Sequence, residues 1–203
     1  MADTLDTLTL PEAKARLGIA TADTDHDTTI AAVITAVSGQ LDQLVGPVVV
    51  RTITTESKDG GRAFISTDKR PVSSVTTLIE YDGTTATTLT AESNTANTAN
   101  DYSIGDHGII WRRANRADYR FPTGRRNIEI TYVSGRAATT ATVGAKYKEA
   151  AAMMLRNIWT SELASGSQTF GGITDGFSNP LLGPGLLNKV VALLDGEFDR
   201  PPA

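Results

Sequence analysis

Apolar positions along this chain follow two different periods, and the change from one to the other divides the sequence. Ile30, Val33, Ile34, Val37, Leu41, Leu44 and Val45 recur at the helical spacing, predicting an amphipathic helix over 27–46 that Gly46-Pro47 terminates. A shorter helix precedes it. Thr9 with Glu12 reads as a capping box, Pro11 is tolerated in the first turn, and Gly18 marks the stop. Between the two helices lie Asp23, Asp25 and Asp27, whose carboxylates can cap the longer helix and complement its dipole.

After Pro47 the chain becomes β-branched. Val48 to Thr55 reads as a strand, with Asp59-Gly60-Gly61 as a hairpin turn before Ala63 to Ser66. Val72 to Tyr81 is a further strand ended by Asp82-Gly83, and a weak one is expected around Thr87-Leu89-Thr90 within a Thr-, Ala- and Asn-rich stretch. Tyr102 to Ile104, Gly108 to Trp111 and Asn127 to Val133 complete an antiparallel set. In the last of these, Ile128, Ile130 and Tyr132 alternate with their neighbours, so one face is expected to be more open. Helical spacing returns with Tyr147, Ala150, Ala151, Met154, Leu155, Ile158 and Trp159, predicting a helix over 145–164 that packs on the helix over 27–46. Six glycines fall between Gly166 and Gly185, and a short apolar helix, Leu186 to Leu194, follows.

The predicted class is α+β: a small helical bundle with an antiparallel β-strand insertion and an extended C-terminal arm. Residues 1–47 supply the N-terminal helices, 48–142 the insertion, 143–165 a further bundle helix, and 166–203 the arm with its short helix. With 203 residues the chain can bury a substantial core unaided. It has no cysteine, which removes disulfides, zinc–thiolate sites and thiol nucleophiles together. No run of about 18 apolar residues is present, so no membrane span is expected. The first ten residues carry two aspartates and no basic group, unlike a secretory signal. A net charge of −4 argues against binding nucleic acid over the whole surface and leaves room for a local basic patch.

Candidate chemistry is sparse. His26 and His107 have no second nitrogen or sulfur ligand at metal spacing. The Asp23-x-Asp25-x-Asp27 run imitates the start of a calcium loop, yet Thr28 stands where the loop needs glycine and Ile34 where it needs glutamate. Phosphate loops and nucleophile elbows are missing, and Ser66-Thr67-Asp68-Lys69 matches S-x-x-K without companion motifs. Neither a catalytic residue nor a metal or cofactor site is nominated; an enzyme would be a hydrolase with an unrecognised site. One feature stands out. Arg112, Arg113, Arg116, Arg120, Arg125 and Arg126 fall within sixteen residues beside Trp111, Tyr119 and Phe121, against the single acid Asp118. Such a segment suits phosphate or partner contacts. Read as a loop, it should tolerate substitution without loss of folding. Its alternative is a solvated connection.

The order of these elements resembles the head-to-tail connector (adaptor) proteins of tailed bacteriophages. The resemblance runs through Leu8-Thr9-Leu10, Ala13-Lys14, Leu17-Gly18-Ile19 and Ile30-Ala31-Ala32-Val33-Ile34 to the stop at Gly46. It continues at Arg70-Pro71-Val72 with Val75, Leu78 and Tyr81-Asp82-Gly83, then at Asp101-Tyr102, Trp111, and Ile130-Thr131-Tyr132 with Gly135. Tyr147, Ala150 and Leu155 match the family's next helix, and Leu186-Leu187, Val190 and Leu193-Leu194 its terminal one. Two positions depart from the pattern: Pro47, where an arginine is common, and Val143-Gly144, where a proline commonly opens the helix.

The resemblance implies a structural protein of the virion neck, present in the host cytoplasm during assembly. It implies a homo-oligomeric, dodecameric ring beneath the portal protein that extends the DNA channel and docks tail-completion or tail-terminator proteins. The six arginines would then meet a partner or the DNA in the channel. Leu186, Leu187, Val190, Leu193 and Leu194 would form an arm docking on a neighbouring subunit or the portal, with residues from Gly166 onward ordered only on assembly. Membrane association and cofactors are not implied. A nucleic-acid-binding module using the Arg112–Arg126 segment is the competing function.

Overall fold

In the computed structural model, the described residues are 4–93, 98–162 and 184–195. The architecture is α+β, and the chain divides into two compact units. A helical unit takes 1–49 and 137–198, and a strand unit takes 50–136.

The helical unit holds α1 (Leu10–Leu17), α2 (Asp27–Val45), α3 (Ala145–Glu162) and α4 (Pro184–Leu193). The sequence signals at α1 act as expected. The Thr9 hydroxyl accepts the Glu12 amide, Glu12 accepts the Thr9 amide at 2.9 Å, and Gly18 closes the helix in the left-handed region at φ 74°. The aspartates before α2 act differently from the expectation. His26 occupies the N-cap position without a side-chain cap bond, while Asp27 pairs with the buried Lys14 at 2.5 Å. Lys14 also donates to the Thr21 carbonyl, so the acidic turn holds a buried cation in place.

Ile30, Ile34, Val37 and Leu41 of α2 share one core with Tyr147, Ala150, Ala151 and Leu155 of α3. The packing of these two helices, far apart in sequence, is as the apolar stripes require. Val48, Val49 and Ala137 lie in the same core, and the Ala137 amide donates to the Val48 carbonyl at 2.9 Å.

Glu12 also accepts Lys148 at 2.5 Å. Burial alone would raise its pKa, but hydrogen bonds from Lys148 and Thr9 outweigh that and hold it below 4.5. The stability it contributes is present above its unfolded value and is lost as pH falls through the lowered native one. Thr9→Ala should cost about 1 kcal/mol at neutral pH. Glu12→Gln should flatten the decline of melting temperature below pH 4.5; an unchanged acid limb would contradict the assignment.

Among the described residues the strand unit has nine strands: β1 (Arg51–Lys58), β2 (Phe64–Ser66), β3 (Val72–Asp82), β4 (Thr85–Thr88), β5 (Thr90–Ala91), β6 (Asp101–Ile104), β7 (Ile109–Ala114), β8 (Ala117–Asp118) and β9 (Ile128–Ser134). One sheet runs β1-β9-β3-β4, and the other β2-β7-β6-β5 with β8 beside β7. All pairings are antiparallel except β5 with β6. Ile128, Ile130 and Tyr132 are buried and alternate with partly exposed Glu129, Thr131 and Val133, as the spacing predicts. They meet Leu78, Leu89, Tyr102, Ile110 and Phe121 in one core fed by both sheets.

The expected hairpin at Asp59-Gly60-Gly61 does not form. β1 pairs with β9 and β2 with β7, so the two segments belong to different sheets. Gly60 is there for close approach: a Cβ at this position would lie 1.9 Å from the Pro122 carbonyl oxygen. Its amide instead reaches the Gly124 carbonyl and the Asn127 side chain.

Candidate functional site

The six arginines do not form one loop. Arg112 and Arg113 stand on β7, Arg116 sits in the β7–β8 turn, and Arg120, Arg125 and Arg126 lie on the connection from β8 to β9. Their environments differ accordingly.

Arg112 overturns the loop reading. It is 2% exposed, and its guanidinium forms a two-pronged pair with the Glu80 carboxylate at 2.8 and 2.9 Å. Further N–H groups reach the carbonyls of Ala99 and Asp101 and the Asn100 side chain, and the Tyr119 ring covers the group at 5.2 Å. The physical cause is register. Strand β7 alternates inward and outward, and position 112 falls on the inward face, where only a paired charge is tolerated. Arg112 therefore has no donor left for a phosphate. Asp101, beside it, would have its pKa raised by burial, but the hydroxyl and amide of Thr98, the Thr90 hydroxyl and the Arg112 charge together lower it.

Arg113 is partly exposed and pairs with Glu92 and Asp118, while also donating to the Arg116 carbonyl. Asn115 and Arg116 both have positive φ, at 51° and 65°, which is the geometry of a two-residue hairpin turn between Ala114 and Ala117. Arg116 lies with Arg113, Glu92, Tyr102 and Ile104 around an open depression of about 530 Å³.

Arg120, Arg125 and Arg126 are exposed, and the fold adds a fourth arginine that the sequence run does not contain. The Arg62 carbonyl accepts the Phe121 amide at 2.9 Å, and the Gly61 amide donates to the Phe121 carbonyl at 3.1 Å. The Arg126 amide donates to Asp59 at 2.7 Å. Asn127 braces both loops, accepting from Gly60 and donating to the carbonyls of Pro122 and Tyr81. Arg62, Arg120, Arg125 and Arg126 thus project from two loops locked together by main-chain bonds. Nothing in the spacing of the sequence announces Arg62; only the pairing of distant segments brings it there.

A second polar centre gathers around the buried Tyr132. Tyr132 donates to Glu56 and accepts the Lys69 amide, while Lys58 pairs with Glu56 and Asp68. Burial and the Glu56 carboxylate raise the Tyr132 pKa, so its hydroxyl stays protonated. These groups satisfy one another and tie β1 to β9 and to the 67–69 turn.

The C-terminal residues also depart from the expectation. Val190 and Leu194 are buried in the helical core of their own chain, at 1% and 0% exposure, and α4 packs on α3. Helical spacing places both on one side of α4, and that side is already covered. Leu193, at 38%, is exposed. The Leu186 and Leu187 side chains and residues 166–183 lie outside the described residues. Among those described, no helix is long and apolar enough to cross a membrane.

The strand unit thus presents four exposed arginines on two adjoining loops, and the described residues hold no group of three or more His, Asp and Glu side chains that could bind a metal ion. No protein-family model and no curated protein matches the chain. Solved structures do match, and among them are chains of gene transfer agent particles. A chain from the neck of an empty particle, computed with C6 symmetry, aligns at TM-score 0.59 and 14% identity over 97% of this chain and 92% of that one. One from the native gene transfer agent virion aligns at TM-score 0.57 and 14% identity, over 90% and 88%. One from the native neck, computed with C12 symmetry, aligns at 0.50 and 16% identity, over 100% and 97%. At such identities the shared property is the fold.

Proposed function

We propose that this chain is a structural neck protein: a head-to-tail connector that assembles as a ring beneath a portal, extends the DNA channel and docks tail-completion or tail-terminator proteins. The observation that carries this reading is the end-to-end match to a particle-neck chain, 97% of this chain against 92% of that one. The C6 and C12 symmetries of the matched necks support a ring, of twelve copies in the C12 case. A non-enzymatic role in the virion neck, with assembly in the host cytoplasm, follows from the same reading.

The test is localisation within assembled particles. Tagged protein should appear at the head–tail junction in micrographs, and particles made without it should accumulate as filled or emptied heads lacking tails. Normal tailed particles in its absence would overturn the proposal.

A further inference from the structure

We propose that Arg62, Arg120, Arg125 and Arg126 form a surface that binds the phosphate backbone of duplex DNA. The inference rests on the neck reading only for the source of that DNA; the chemistry stands on the tip itself.

Ion pairing in the strand unit is selective. Where a carboxylate lies near a cation the two are engaged: Lys58 with Glu56 and Asp68, Arg112 with Glu80, Arg113 with Glu92 and Asp118. The four tip arginines are exposed and have no ion pair among the described residues. The one acid in these loops, Asp59, is used by the Arg126 backbone amide. Four permanent positive charges therefore stand together on a chain whose net charge is −4. Such a cluster offers a polyanion a local positive surface despite the negative net charge.

Two further features favour nucleic acid over an acidic protein. Guanidinium forks match phosphate oxygens bidentately, and four of them on two adjoining loops suit a repeating array of charge. A protein interface would need apolar anchors at its centre, and the only large exposed apolar side chain on these loops is Tyr119. The loops are also held in place before any ligand arrives. Gly60 packs against Pro122, and Asn127 joins both segments, so little ordering cost remains at binding.

Backbone contact makes quantitative demands. Four phosphates neutralised per chain give a slope of about −3.6 in log affinity against log salt, or roughly 150-fold between about 50 and 200 mM. The experiment uses the full chain and a labelled duplex of arbitrary sequence, followed by fluorescence anisotropy across that range. Binding should be independent of sequence and show that slope. A variant with Arg62→Gln, Arg120→Gln, Arg125→Gln and Arg126→Gln should lose it while melting as the parent does, because the loops are held through the main chain. Arg113→Gln with Arg116→Gln should keep it. Absence of binding at the low-salt end, or a quadruple variant that binds like the parent, overturns the inference. A variant that fails to join particles although the parent binds no DNA also overturns it and reassigns the tip to a protein partner. Particle incorporation of the variant is scored separately, so loss of DNA binding with normal neck assembly supports the inference and leaves the neck reading intact.

Discussion

Replacing Arg112 with alanine should destabilise the strand unit by about 3–5 kcal/mol, because it leaves the Glu80 carboxylate buried without its partner. The loss should exceed that of any other arginine in the 112–126 run. Alanine at Arg116, in the exposed turn, should fall within about 0.5 kcal/mol of the parent. The pair is not simply a source of stability, since two buried charges cost much of what their attraction returns. Glu80→Met combined with Arg112→Met should therefore recover most of the loss. Urea denaturation of the two single variants and the double closes a thermodynamic cycle. If Arg112→Ala unfolds at the parent's midpoint, the guanidinium is not the strut that its contacts imply.

The second large effect belongs to the helical unit. Leu155 of α3 is fully buried in the core shared with α2, and truncating such a leucine costs roughly 2–5 kcal/mol before any charge is introduced. Leu155→Asp adds an unpaired buried carboxylate, which together with the lost packing approaches the whole stability of an ordinary domain. Loss of the helical circular-dichroism signal at ambient temperature is the expected result. Leu194→Ala should also destabilise this unit, by an amount in the same 2–5 kcal/mol range, since its side chain lies in the same core. A freely projecting C-terminal helix would show no such sensitivity, so this variant separates the two readings of α4.

Which parts of the structure were legible in the sequence follows from how local each signal is. The 3.6-residue spacing from Ile30 to Val45 and from Tyr147 to Trp159 marks α2 and α3 because a helix face is written within a few turns. The Thr9–Glu12 box is legible for the same reason. Strand existence was equally readable at β3 and β9, but strand pairing was not. β1 finds β9 across most of the insertion, and no residue in either strand names its partner. Asp59-Gly60-Gly61 shows the ambiguity at one site. Glycines needed for close packing on Pro122 look the same in sequence as glycines needed for a turn.

The candidate site was half legible. A run of arginines reveals charge density, while the fate of each charge depends on Glu80, Glu92 and Asp59, which reside on other segments. The run alone thus places Arg112 on a surface it does not reach, and it says nothing of Arg62, whose neighbours are made by tertiary pairing. Val190 and Leu194 differ from the sequence expectation for a related reason. A short apolar helix must be covered, and its own pattern does not say by whom.

The junction at Val48 and Ala137 has a consequence for how such a chain can diversify. The chain leaves and re-enters the helical unit through neighbouring segments, since the Ala137 amide donates to the Val48 carbonyl and both residues lie in the helical core. Material grafted or excised there changes the length of no helix and opens no gap between α2 and α3. The strand unit can therefore be exchanged for one of different length or loop charge while α2 and α3 keep their packing.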